Sequence, residues 1–407
     1  MRILVLTDEI FPDAIGGVGK SLYNECVALA KRGHQINVLV RALNPDLPPR
    51  SEVAGLEIIR FYGPKRGSKA YYLYPLSIVI QVRRWLRAHG GQWDVISVHN
   101  SIFILAARLA GAHRDAPVIY TFYASIADEI RISAGRGKYG RWSGAARIAA
   151  GLLGRLERWG LARVRAVLPR SIYTLEVVRR IYPAVPVPNA DKLIPLGVDP
   201  SLYRQMDITL ARAALDLSPD VPILITARRL EGRMGLPSLI RAAALVRQRF
   251  PDLRLLIAGR GYLRPTLESL IAELGLGDVV DLLGFVPEEK LPIYLSAADL
   301  FVLPTESLEG FGLATIEAMA VGLPVVGTPI GATPELLERV DPSLLTRDSS
   351  PEALAERITY WLERPQELRE LRQRAYEVVQ QTYAANQVAA QLEALYQTIA
   401  ASNRAAR

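Results

Sequence analysis

Two glutamates, Glu309 and Glu317, stand eight positions apart in SLEGFGLATIEAMAVGLPVV (307–326). Carboxylates so placed could work as an acid/base pair, hold a metal, or accept hydrogen bonds from hydroxyl groups. Residues 313–321 read as a helix with Gly322 as its cap and PVV opening the next strand. That puts Glu309 on the loop before the helix and Glu317 about one turn inside it. Eight positions along a helix span roughly 12 Å at ~1.5 Å per residue. Glycosidase carboxylates sit roughly 5–9.5 Å apart, so an acid/base pair is disfavoured. No third ligand is near, which disfavours a metal. The amides of Gly310, Phe311, Gly312 and Leu313 would open the helix toward an anion, with the carboxylates flanking it as acceptors for hydroxyls. A nucleotide sugar offers that order of groups: ribose hydroxyls, a diphosphate, then sugar hydroxyls.

Two further stretches follow strand-like runs. TARRLEGRMG (226–235) carries Arg228, Arg229 and Arg233, a guanidinium cluster suited to a diphosphate, or else a solvated loop. GGVGK (16–20) brings Gly16 and Gly17 to a helix start, where backbone can approach a phosphate or sugar; a tight structural turn is the alternative. It has neither the dinucleotide nor the P-loop spacing, and INVLV ends in Arg41 rather than an acidic residue. The histidines His34, His89, His99 and His113 form no i, i+4 pair, so no zinc signature arises. The lone cysteine, Cys26, sits in a helical pattern; without a disulfide framework the chain suits a reducing cytoplasm.

The elements that must carry these residues alternate. RILVLT (2–7), INVLV (36–40), DVISV (94–98) and PVIYTF (117–122) are apolar strands separated by helical patterns, the first being SLYNECVALAKRG with Gly33 as its C-cap. The pattern restarts with PILITA (222–227), RLLIAG (254–259), VVDLLG (279–284), DLFVLP (299–304) and PVVGTP (324–329), separated by helices over 236–250 and 266–276. Near-continuous Val/Ile/Leu runs alternating with helices predict parallel sheets covered on both faces. The expected fold is α/β, with two doubly wound Rossmann-like domains facing a deep interdomain cleft. Ligands of such sheets bind outside the carboxyl ends of the strands. The predicted domains are 1–199, on the acceptor side; 200–375, on the donor side; and a C-terminal segment, 376–407, whose helical pattern over about 373–402 crosses back to the first domain.

Half of the 407 residues are apolar and the formal charge is +8. No apolar run approaches 20 residues, so no transmembrane helix is expected. MRILVLTDEI lacks the long apolar stretch and cleavage site of a signal peptide and reads as a buried strand. Basic residues thicken over 131–180, around Trp142 and Trp159. This is either a solvated helix face or a surface for an anionic membrane. The expected location is cytoplasmic, with peripheral contact at the inner membrane face if the second reading holds. No nucleic-acid motif accompanies the charge.

The E-x7-E spacing within 307–326 resembles the signature of retaining glycosyltransferases of the GT-B fold, family 4 type. GGVGKSLYNECVALAKRGHQINVLV, LIPLGVDPSLY, RRLEGRMG, the stretch LIAGRGYLRPTLESLIAELGLGDVVDLLGFVPEEKLPIYLSAADLFVLP and GATPELLE are similar to further family segments in the family's order, over nearly the whole chain. The resemblance implies a nucleotide-sugar donor and transfer of a hexose to an acceptor hydroxyl, with retention and no metal or other cofactor. The acceptor would be a small molecule, a glycan or a lipid-linked glycan. By resemblance Glu309 meets the donor sugar, Glu317 the ribose, and the amides of Gly310, Phe311, Gly312 and Leu313 face sugar and diphosphate. Arg229 neutralises the leaving diphosphate, Gly259, Gly261, Phe285 and Val286 surround base and ribose, and Gly16 and Gly17 approach the phosphates. Two positions depart from the pattern: Met234 stands where the family has a lysine, leaving Arg233 as the substitute, and Tyr123 with Ala124 replaces a histidine–glycine pair. Tyr123 and His99 are then candidates for acceptor or sugar contacts. A nucleotide-sugar binding protein with little transfer activity, or a nucleotide-sugar epimerase, are the competing expectations.

Overall fold

The computed structural model describes residues 1–14, 16–44, 46–63, 74–136, 139–185 and 193–405. The chain divides into two compact units, Met1–Gly197 with Ala385–Arg407, and Val198–Ala384.

The apolar runs of unit 1 form strands whose residues are buried almost without alternation, as both faces of the sheet are covered. In order these are β1 (Arg2–Thr7), α1 (Gly17–Lys31), β2 (Gln35–Arg41), β3 (Arg50–Val53), β4 (Leu56–Phe61), α2 (Tyr74–Ala88) and β5 (Val95–Val98). Then come α3 (Ser101–Ala110), α4 (Ala112–Asp115), β6 (Val118–Phe122), α5 (Ile126–Gly135), α6 (Ser143–Leu161), β7 (Ala166–Pro169) and α7 (Ile172–Ile181). The sheet order is β3-β4-β2-β1-β5-β6-β7, with β3 alone antiparallel to its neighbour. β3, β4 and β7 go beyond the sequence expectation. β4 carries Arg60, whose side chain is buried and paired with Asp13 at 2.5 and 2.8 Å, a partner 47 residues away. β7 is a short edge strand ending in Pro169, where a missing N–H is tolerated. GGVGK is not a free loop: the helix begins at Gly17, so four of its five residues form the first helical turn.

Unit 2 contains α8 (Ile208–Ala213), β8 (Ile223–Ala227), α9 (Leu236–Arg247), β9 (Arg254–Ala258), α10 (Arg264–Glu273), β10 (Val280–Gly284) and α11 (Leu291–Ala297). It continues with β11 (Leu300–Leu303), α12 (Leu313–Ala320), β12 (Val325–Gly327), α13 (Thr333–Leu337), α14 (Pro351–Leu362) and α15 (Pro365–Val378). Its strands pair in parallel in the order β10-β9-β8-β11-β12.

The final helical pattern is two helices rather than one. α15 ends in a π turn over Val379–Tyr383, Ala384 is extended, and α16 (Ala385–Ala405) follows. At the break Val198 donates to the Tyr383 carbonyl at 2.9 Å. α16 returns to unit 1, where Leu392, Tyr396 and Ile399 join Leu22, Cys26 and Leu29 of α1 over β1 and β2 in one core. The salt bridge Arg32–Glu393 and the contact of His34 Nε2 with Glu393 at 3.0 Å fasten it, so His34 is structural.

Candidate functional site

Glu309 sits on the loop between β11 and α12, and its carboxylate is gripped from two sides. Arg228 Nη2 donates to Glu309 Oε2 at 2.9 Å, and Thr305 Oγ1 donates to the same oxygen at 2.9 Å. Arg228 Nη1 also donates to Thr305 Oγ1 at 2.8 Å, which closes a triangle. Both charged side chains are nearly enclosed, with 7% and 13% of their surface exposed. Leu308, just before Glu309, adopts the left-handed conformation at φ 57°, uncommon for a branched residue and worth ~1–3 kcal/mol of strain. Arg233 Nη1 steadies it by donating to the Leu308 carbonyl at 2.7 Å.

Arg228 and Arg233 therefore meet on one loop, with Arg229 near enough for its charge to act on Arg228. Burial lowers the Arg228 pKa, the Glu309 charge raises it again, and Arg233 and Arg229 lower it by repulsion. That mutual repulsion makes the cluster receptive to an anion. Arg229 is the outermost, 55% exposed and 3.5 Å from Glu231. Met234 contributes no charge: it is buried in the short turn Gly232–Met234, where an ammonium would lose its hydration.

Gly259 and Gly261 have a direct structural reason. A Cβ on Gly259 would lie 1.9 Å from the Arg228 carbonyl oxygen, and one on Gly261 would lie 2.2 Å from that of Leu230. Their absence lets the loop after β9 close on the arginine loop through Arg228 N to Ala258 O at 2.9 Å and Leu230 N to Arg260 O at 3.0 Å. Phe285 and Val286 follow β10 half-buried, with the Arg260 guanidinium 5.2 Å from the Phe285 ring. Gly312 is the N-cap of α12 at φ 93° and Leu313 its first residue; no side chain caps it. Phe311 is buried edge-on against Tyr383, and Gly310 before it is partly exposed.

Glu317 lies on the buried side of α12 and faces a different partner. It hydrogen-bonds the Tyr203 hydroxyl, which also donates to Glu288 Oε1 at 2.6 Å; burial first, then these two carboxylates, raise the tyrosine pKa. The two glutamates thus have separate environments. The helical rise applies only from Leu313 onward, so the ~12 Å estimate does not describe their separation. Thr305 and Tyr203 were not singled out by sequence. Thr305 stands four positions before Glu309 in a strand-to-loop transition, and Tyr203 closes LIPLGVDPSLY, so both signals were present without their meaning.

In unit 1 a buried polar chain joins the two remaining candidates. His99 Nδ1 meets Tyr123 Oη at 2.9 Å, His99 Nε2 meets Ser97 Oγ at 3.0 Å, and Ser97 Oγ meets Tyr396 Oη at 3.2 Å. Burial lowers the His99 pKa to about 3, so the imidazole is neutral near pH 7. Tyr396 belongs to α16, so the returning helix helps orient this pair. Gly16 caps α1, where a Cβ would come within 2.9 Å of Glu9 Oε1, and Gly17 is exposed in the first turn. Cys26 is buried with its thiol pKa raised to about 12, which removes it as a nucleophile. Among the described residues no group of three His, Cys, Asp or Glu could hold a metal ion, and no helix is long and apolar enough to cross a membrane.

Known proteins resemble this chain in sequence and in fold. The family described as Glycosyltransferase Family 4 matches residues 15–202, and that described as Glycosyl transferases group 1 matches residues 207–378. The chain is 30% identical over 357 residues to a D-inositol 3-phosphate glycosyltransferase of Nocardia farcinica, covering 81% of this chain and 74% of the relative. It is 28% identical to a phosphatidyl-myo-inositol mannosyltransferase of Mycobacterium leprae, covering 99% and 98%. In structure it is similar to sucrose-phosphate synthase from Thermosynechococcus elongatus, with a TM-score of 0.84 at 24% identity over 98% of this chain and 99% of that one. It is also similar to Anabaena HepE in complex with UDP and glucose, with a TM-score of 0.72 at 20% identity over 98% and 99%. The chain belongs to the family 4, group 1 glycosyltransferases and has their GT-B fold.

Proposed function

We propose that this glycosyltransferase moves a hexose from a nucleoside diphosphate sugar to an acceptor hydroxyl, with retention and without a metal, to give an α-glycoside. The observation that carries this is Glu309, whose carboxylate is held in one orientation by Arg228 and Thr305 beside an arginine cluster. One face of such a carboxylate is anchored and its other lone pairs are left for sugar hydroxyls. The bond from the anomeric carbon to the diphosphate oxygen breaks with its electron pair going to that oxygen. The acceptor oxygen bonds the same face of the carbon, and its proton passes to the departing phosphate. Arg229 and Arg233, with the amides at the start of α12, stabilise the charge that develops on the diphosphate. Glu317, beside Tyr203, takes the ribose hydroxyls, and Phe285 and Val286 flank the base. Gly16 and Gly17 approach the phosphates from the start of α1, and Tyr123, oriented by His99, serves the sugar or acceptor.

The acceptor is a small molecule, a glycan or a lipid-linked glycan. Relatives named for inositol phosphate and phosphatidyl-myo-inositol support an acceptor of that general kind. Contact with an anionic membrane surface through the basic 131–180 region belongs to the same proposal, and the location is then the cytoplasmic face of the membrane. The buried Met234 favours a second reading, nucleotide-sugar binding with little transfer.

A thermal-shift panel of nucleoside diphosphates and their sugars tests the binding, since a ligand at 100 times its Kd stabilises by about 2.7 kcal/mol. Nucleotide release from the stabilising donor then separates the readings. Hydrolysis or transfer supports the enzyme, tight binding with neither supports the binding protein, and no stabilisation by any member refutes both.

A further inference from the structure

Unit 1 contains a cavity of about 640 Å³ between α5, α6 and the end of α7. Arg131, Arg155, Arg158 and Arg180 line it against one carboxylate, Asp128. Arg131 already pairs with Asp128 at 2.9 Å, and Arg158 reaches the Ile181 carbonyl at 3.3 Å. Among the described residues no carboxylate pairs with Arg155, Arg158 or Arg180, and Arg155 and Arg158 stand at i, i+3 on one helix. Like charges so spaced repel, and an anion between them relieves the repulsion. The volume far exceeds one phosphate and leaves room for a polyol phosphate or similar head.

The same helix carries apolar side chains that folding leaves in water. Ile148 is 71% exposed and Leu152 59%, one turn apart, and both line the cavity. Trp142, on the turn leading into α6, is 61% exposed with the Arg141 guanidinium 5.4 Å from its ring. Exposed apolar residues bordered by arginines suit the boundary between headgroups and acyl chains. We propose that the cavity takes the phosphate-bearing head of an anionic membrane lipid, with Ile148 and Leu152 entering the acyl boundary. This rests on the membrane contact proposed above and gives it a defined site.

The test is co-sedimentation of the full chain at low salt with vesicles of phosphatidylcholine, alone or mixed with phosphatidylglycerol. Donor sugar is absent, so the outcome is independent of the donor site. The wild type is expected to bind only the anionic vesicles. Arg155→Gln with Arg180→Gln should lower the partition about fivefold per arginine, roughly 25-fold for the pair. Ile148→Ser with Leu152→Ser should also lower it, while leaving the melting temperature unchanged or raised. Arg249→Gln with Arg369→Gln removes the same charge from exposed positions of unit 2 and should bind within about twofold of wild type. Equal loss in that control, or full binding by Arg155→Gln with Arg180→Gln, overturns the cavity as the site while the membrane contact stands. Stabilisation by soluble glycerol phosphate without vesicle binding overturns the lipid as its source. Failure of the wild type on every vesicle overturns both the site and the membrane contact.

Discussion

Replacing Arg228 with glutamine tests whether the grip on Glu309 is catalytic. The substitution removes one of the two hydrogen bonds to Glu309 Oε2 and the positive charge behind it, while Thr305 remains. A hydrogen bond to a charged group contributes about 1.5–3 kcal/mol. If that energy holds the carboxylate for the transition state, kcat falls roughly 10- to 150-fold, since each 1.4 kcal/mol is tenfold. Breaking a fully buried pair costs ~3–5 kcal/mol of stability, but Glu309 is 13% exposed and keeps one donor. A loss of about 2 kcal/mol is expected, lowering the melting temperature by roughly 4–8 °C for a unit of this size. Arg228→Lys retains the charge but not the planar fork that reaches Thr305 and Glu309 together, so it should fall between. The assay is steady-state nucleotide release from the donor, beside calorimetric binding of the nucleoside diphosphate. The expected signature is a fall in kcat with nucleotide affinity within about twofold of wild type, rescued in part by lysine. If Arg228→Gln keeps turnover within about threefold while Glu309→Gln loses far more, Arg228 does not position the carboxylate. If Glu309→Gln is itself fully active, the assignment of Glu309 to the sugar fails.

Glu317→Gln should weaken nucleoside diphosphate binding, whereas Glu309→Gln should spare it and depress transfer; equal loss of affinity in calorimetry would refute that division. Arg233→Ala releases the Leu308 carbonyl and removes charge next to Arg228, so turnover should fall more than about threefold; a smaller effect means Arg233 does not stand in for the lysine absent at Met234. Glu157 is fully buried under Tyr182, and burial raises its carboxyl from 4.5 to about 7. A raised carboxyl favours the fold below pH 4.5, and that contribution disappears as pH rises through 7, so Glu157→Gln should raise the melting temperature at pH 8 and change it little at pH 4. The gap corresponds to at most ~3 kcal/mol, and an equal shift at both pH values would show that ionisation of Glu157 is not the cause.

Elements whose apolar residues all meet one core were readable locally. RILVLT and PILITA are buried on both faces, and α12 begins at Leu313 as its spacing places it and ends at Ala320, one residue short of the expected end. Elements whose burial depends on a distant partner were not. β4 carries Arg60, whose burial depends on Asp13 from another loop. The last helical pattern hid the break at Ala384, because Val198 pairs there from nearly two hundred residues away.

The same distinction governs the site. Glu309, Glu317 and the arginine cluster are visible in sequence because their types and spacing are themselves the chemical signal, and with the family's ordered segments they determine the class of protein. Which carboxylate meets which partner was decided only in three dimensions. Arg228 and Glu309 are 81 positions apart, as His99 and Tyr396 are on different elements joined only through Ser97. A charge is orphaned or satisfied according to the few ångströms around it, and those neighbours are brought together by packing of the sheet and its helices rather than by adjacency along the chain.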